Sequence, residues 1–217
     1  MALADALLSG AGLADAEVME AHLQLALRHE RDHPEALNLM AQLCARTGRH
    51  AEALDYLKRA IQSMEARGEP SDSVTPDDPP GPVAPDDPPD PAARAVLYLA
   101  ETYEQLEQYE RAIEVYDLGL AWQERAEFYN GRGYCRLKLG DPAAALPDAR
   151  RAIELCPDNQ AYMNDYGYTL FEAGDLVQAR QVLRRAVAMN PDYDLARNNL
   201  QLCEEALKQV RRSRRGN

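Results

Sequence analysis

Residues 126–159 read AEFYNGRGYCRLKLGDPAAALPDARRAIELCPDN, and residues 160–193 read QAYMNDYGYTLFEAGDLVQARQVLRRAVAMNPDY. Laid one above the other, they match at a shift of 34 residues. Gly133, Gly140, Ala145, Ala152 and Pro157 recur as Gly167, Gly174, Ala179, Ala186 and Pro191. Asn130 and Tyr134 recur as Asn164 and Tyr168, and counting a further 34 places leads to Asn198. A fixed period of this length indicates stacked helix–turn–helix units rather than a single globular core. Such stacks work by presenting a long concave surface.

Helix boundaries follow from the punctuation. Gly140-Asp141-Pro142 supplies a glycine past one helix end, then an N-capping Asp and a proline at the first helical position. Gly174-Asp175 repeats the device without proline, and Gly48-Arg49-His50 is a weaker version. These stops predict helices near 35–47, 50–66, 93–106, 109–122, 126–139, 142–155, 160–173 and 176–188. A helix over 193–211, with Leu195, Leu200, Leu202, Leu207 and Val210, reads as the solubilising cap that open stacks require. A helix near 15–30, with Val18, Leu23, Leu25 and Ala26, is expected to cover the other end, with 2–9 as a short partner.

The residues 67–91 contain nine prolines and two near copies of PDDPP. A segment rich in Asp and Pro buries too little apolar surface to offset chain entropy. It reads as a disordered, semi-extended acidic insert. Spacing agrees, because Ala53 to Ala112 is 59 residues, or 34 plus 25, whereas Ala145 to Ala179 is 34. The chain carries a net charge of −12. Setting aside seven acids of the insert and four arginines of the terminal RRSRR leaves −9, an acidic body that disfavours nucleic-acid partners. No apolar run approaches the length of a membrane span. The N-terminus lacks a basic leader, and none of the four cysteines shows C-x-x-C spacing. These features predict a reduced, cytoplasmic protein.

The pattern resembles the tetratricopeptide repeat, a 34-residue helical hairpin. In 160–192 it is carried by Gly167, Leu170, Ala179, Leu183, Ala186 and Pro191, and in 126–159 by Tyr129, Gly133, Ala145, Ala152 and Pro157. That second unit departs at Arg136 and Ala149, where a large apolar residue and an aromatic are usual. The unit 92–125 matches through Ala100, Tyr103, Ala112 and Tyr116, with Glu107 in place of the inter-helix glycine. The unit 34–66 keeps Leu37, Ala41, Gly48, Ala53, Leu57 and Ala60. The resemblance implies an all-α, right-handed superhelical solenoid. Its parts would be an N-terminal helical cap or degenerate repeat at 1–33, four hairpins flanking the insert 67–91, a capping helix at 193–211, and a disordered basic tail at 212–217.

It also implies a non-enzymatic scaffold or adaptor that holds an extended or helical peptide in its concave groove. The groove positions carried over are Tyr98, Glu101, Asn130, Tyr134, Asn164, Asp165, Tyr168 and Asn198, with Asn199 beside the last on the capping helix. An Asn side chain both donates and accepts, which suits a peptide backbone, and a Tyr beside it gives an amphipathic platform. Members that grip a C-terminal carboxylate converge Lys and Arg on the groove, and here no basic cluster does. Acidic groove positions favour a neutral or basic protein segment. The alternatives are a chaperone for a secreted or exported client and a module for structural self-association. His29 and His33 are spaced i, i+4 but lack a third ligand, and no phosphate loop or nucleophile motif appears. No catalytic residue, metal ligand or cofactor is expected.

Overall fold

The structure, a computed structural model, describes residues 13–66 and 91–216. The acidic segment 67–90 and the short N-terminal stretch 2–9 lie outside the described residues. Ten helices form among those described, divided between two compact units. The first unit holds α1 (Leu13–His29), α2 (Pro34–Arg46), α3 (His50–Ala66), α4 (Pro91–Gln105) and α5 (Tyr109–Trp122). The second holds α6 (Ala126–Lys138), α7 (Pro142–Leu155), α8 (Gln160–Glu172), α9 (Leu176–Met189) and α10 (Asp194–Gly216). The fold class is the expected all-α array of helical hairpins.

The hairpin turns explain why the helices stop where they do. Gly140 and Gly174 take φ of 78° and 83°, so the amide of the next residue can reach back to the preceding helix. Asp141 N–H donates to Arg136 O at 3.0 Å, and Asp175 N–H donates to Leu170 O at 2.9 Å. The same Asp residues then cap the next helix. Ala144 N–H donates to the Asp141 carboxylate at 2.9 Å and Gln178 N–H to that of Asp175 at 3.1 Å. Glu107 occupies the equivalent corner between α4 and α5 with φ 55°, and Gln108 N–H closes it onto Tyr103 O at 2.9 Å. The hairpin geometry therefore overrides the steric preference of a residue with a Cβ.

In the first unit, Met19 and Leu23 of α1 pack on Ala36, Met40 and Leu43 of α2. Val18 and Leu25, expected to face inward, are 58% and 53% exposed. The reason is helical spacing: Met19, Leu23 and Ala26 form the i, i+4, i+7 stripe, and Val18 and Leu25 stand on another face. The Arg49 guanidinium pairs with both oxygens of Glu20 at 2.7 and 2.8 Å, bracing α1 against the start of α3.

In the second unit, Ala149, Tyr166, Leu170, Ala179, Leu183 and Cys203 form the main core. Gly167 is small because α8 presses on α9 there. A Cβ at this position would lie 2.7 Å from Leu183 Cγ. At Gly133 a Cβ would meet the Cβ of Asp148 at 3.3 Å. Asp148, almost fully buried, also explains the departure at Arg136. Arg132 and Arg136 bind its two oxygens at 2.6 and 2.7 Å, so an ion triad fills the space an apolar side chain would take. α10 buries Cys203, with Leu200 and Leu207 beside it, against this core, and Ala196 against Met163 and Ala186 in a smaller cluster. It continues as helix through 212–216, where the sequence suggested a disordered tail.

Candidate functional site

A cavity of about 420 Å³ opens in the second unit, lined by side chains from α6, α7, α8 and α10. Helical spacing places its residues. Asn130, Tyr134 and Leu137 stand at i, i+4 and i+7 on α6, and Leu195, Asn199 and Leu202 repeat that spacing on α10. From α8 come Asn164, Asp165, Tyr168, Thr169 and Glu172.

A chain of side-chain hydrogen bonds crosses the cavity from helix to helix. Asn199 Nδ2 donates to Asn164 Oδ1 at 2.9 Å. Asn164 Nδ2 donates to Asp165 Oδ1 at 3.1 Å, and Asn130 Nδ2 donates to Asp165 Oδ2, also at 3.1 Å. Asn164 is 1% exposed, so its amide braces α8 to α10 while it lines the cavity. The Asp165 carboxyl is pushed above the usual Asp range by burial, and the two amide donors oppose that shift.

Aromatic and apolar groups flank this polar chain. The Tyr134 ring carries the Lys138 ammonium 5.5 Å from its centroid, a cation–π contact. Tyr168 stacks on Phe171 with centroids 6.0 Å apart, and its hydrogen bond with Glu172 helps to raise its phenol pKa. Leu195 and Leu202 are 48% and 50% exposed, unusual for leucines on a helix that also seals a core. The site thus combines a preorganised polar strip with apolar walls and a negative bias from Asp165 and Glu172.

Five of the residues expected to form the groove line this cavity: Asn130, Tyr134, Asn164, Asp165 and Tyr168. Asn198 does not. It is exposed, and its neighbour Asn199 supplies the third amide. The period is 34 residues, but the rotation of α10 is set by its stripe of Ala196, Leu200, Cys203 and Leu207. Asn199 is three residues from Ala196 and four from Cys203, both fully buried, so it faces inward. Tyr98, half exposed, and Glu101 stand on α4 of the first unit and are not among the lining residues. Desolvation and the nearby Glu104 push the Glu101 carboxyl upward. Leu137 on α6 and Leu195 and Leu202 on α10 are cavity residues that sequence reasoning misses, because a leucine on a packed amphipathic helix reads as core. Their signal is geometric: Leu195 and Leu202 share the i, i+7 spacing of one face, offset from the stripe that packs.

Sequence profiles of the tetratricopeptide repeat match residues 1–69, 118–159 and 130–194, and a second such profile matches 93–125. The chain belongs to the tetratricopeptide repeat family. No curated protein matches it significantly. Among solved structures, it is similar to YrrB, described as a TPR protein with an unusual peptide-binding site. The identity is 19% over 86% of this chain and 84% of that one, with a TM-score of 0.58. The MamA protein is similar at 17% identity over 79% and 81% of the two chains, with a TM-score of 0.54. The first TPR of Spaghetti (RPAP3), bound to the HSP90 peptide SRMEEVD, is similar at 20% identity. That match covers 53% of this chain and 92% of the other, with a TM-score of 0.50. At these identities the likeness is one of fold. Among the described residues of this repeat protein, no helix is long and apolar enough to cross a membrane.

Proposed function

We propose that this repeat protein is a non-enzymatic scaffold that holds an extended or helical segment of a partner protein in the cavity between α6, α8 and α10. The observation that carries this reading is the pairing of Leu195 and Leu202, left half exposed, with a polar strip already assembled on the cavity floor. Exposed apolar groups around convergent polar ones are the usual make-up of a binding site, and about 420 Å³ is within the size range of such sites. A neutral or basic segment is favoured, since Asp165 and Glu172 repel an acidic one. An acidic peptide such as the one bound by the Spaghetti domain would be disfavoured here. A reducing, cytoplasmic setting is part of this reading, because Cys44 and Cys203 are buried without a disulfide. Burial raises both thiol pKa values, that of Cys44 to about 11, so they serve as inert core residues.

The test is peptide selection against the full chain, followed by anisotropy titration with wild type and a Leu202→Glu variant. The reading expects selected peptides to lose at least about tenfold in affinity, the scale of one lost apolar anchor, with helicity unchanged. Selected peptides that bind both proteins equally would refute it. A chaperone would instead retain unfolded clients without sequence preference, and a self-association module would show a concentration-dependent mass by light scattering.

A further inference from the structure

The second unit pairs its other prominent part-buried acids with arginine. Asp148 is gripped by Arg132 and Arg136, and Glu124 receives Arg151 Nε and Nη2 at 2.9 and 3.0 Å. Asp165 differs. Its two oxygens each accept one N–H from a neutral amide, Asn130 or Asn164, and no cation among the described residues pairs with it. Lys138, in the same cavity, is directed to the Tyr134 ring. A carboxylate has about four lone-pair sites, so each oxygen keeps acceptor capacity after these two bonds.

We propose that Asp165 is the receptor for one lysine or arginine side chain of the bound segment. This rests on the groove reading above and adds to it a specific cationic subsite. The amides of Asn130 and Asn164 hold the carboxylate in place, and Asn199 holds Asn164 in turn, so the acceptor is set before the ligand arrives. Tyr134 and Tyr168 line the same cavity as this carboxylate, so the aliphatic stem of a lysine or arginine reaching it passes beside aromatic side chains. Burial without a counter-charge makes the ionised form of Asp165 costly, and a ligand ammonium or guanidinium relieves that cost through charge-assisted hydrogen bonds. A neutral ligand leaves the cost in place, and an acidic one adds to it.

The experiment uses the full chain and five pools of labelled nonapeptides, degenerate except for a central Lys, Arg, norleucine, Gln or Glu. The Lys and Arg pools are expected to bind about tenfold more tightly than the norleucine pool, the scale of one charge-assisted hydrogen bond. Asp165→Asn should bring the three pools together, while Leu202→Glu should weaken all of them. Equal binding of Lys and norleucine pools, with Leu202 dependence retained, overturns the cationic subsite and leaves the groove standing. Absence of any Leu202-dependent binding overturns both. A measurement on the wild type avoids reliance on the variant's folding. Nα-acetyl-lysine N-methylamide should shift the side-chain amide resonances of Asn130 and Asn164, and the norleucine analogue should not. Equal shifts, or none, refute the assignment.

Discussion

Asn199 on the last helix donates its side-chain N–H to the side-chain oxygen Oδ1 of Asn164, 2.9 Å away and on the last complete hairpin. The bond joins α10 to α8 through a nearly buried pair, and Asn164 passes it on to Asp165. Asn164→Ala would strip an acceptor from Asn199 and a donor from Asp165. An unsatisfied buried polar group costs about 1–3 kcal/mol, so urea denaturation should show a loss of at least that size. Asn198→Ala should stay within about 0.5 kcal/mol, the range of surface substitutions. Equal losses for the two variants would contradict the network.

The hairpin corners offer a second comparison. Gly174 has φ 83°, and a Cβ added there would meet nothing within 4 Å. Gly174→Ala should therefore destabilise through the backbone alone, by about 1 kcal/mol. Glu107 holds the same kind of corner with φ 55°, and Glu107→Gly should stabilise by up to about 1 kcal/mol. Thermal melts of the two variants should move in opposite directions. A fall in both would show that the Glu107 side chain contributes more than its backbone conformation costs.

Asp148 is the only anion of its triad, set against Arg132 and Arg136. Asp148→Ala would leave two part-buried guanidinium groups without their carboxylate. Breaking such a pair costs about 3–5 kcal/mol. Adding Arg132→Met and Arg136→Met should recover much of the loss, as apolar groups of similar volume no longer need the charge. No recovery would mean that the triad's shape, not its charge, holds α6 on α7.

Acid should weaken both units through different carboxylates. Arg49 holds the Glu20 carboxyl below the usual range in the first unit, and Arg151, aided by Tyr129, does the same for Glu124 in the second. In each case the folded chain gives up the proton more readily than the unfolded one. Their stabilisation is therefore present above the ordinary Glu pKa, about 4.3, and is lost as pH falls through the lowered folded value. Arg151→Gln should lower stability at neutral pH and flatten the acid limb of a melting-temperature profile. Asp165 acts in the opposite sense, since its raised carboxyl favours the folded state when protonated. An Arg151→Gln profile parallel to wild type below about pH 5 would refute the role given to that pair.

Much of the hairpin array is legible in the repeat. Each predicted helix of the hairpins lies within two residues of an observed one, because Gly140, Gly174, Asp141 and Asp175 act locally on the backbone at turns. The small residues at Gly133 and Gly167 are legible for a related reason, since a Cβ there meets the neighbouring helix. The groove is legible only in part. Asn130, Asn164 and the tyrosines after them share one face of one helix each, which counting residues can locate.

Which of Asn198 and Asn199 enters the cavity, and that Leu195 and Leu202 line it, could not be settled by counting, because α10 turns to bury Ala196 and Cys203, and a single residue of rotation moves a side chain by about 100°. Nor could the sequence show that Asp165 lacks an arginine while Asp148 and Glu124 have theirs. Local conformation and repeat period are properties of neighbouring residues, and the 217 residues determine them directly. Which carboxylate meets a cation depends on helices brought together from afar, and the tertiary packing decided it.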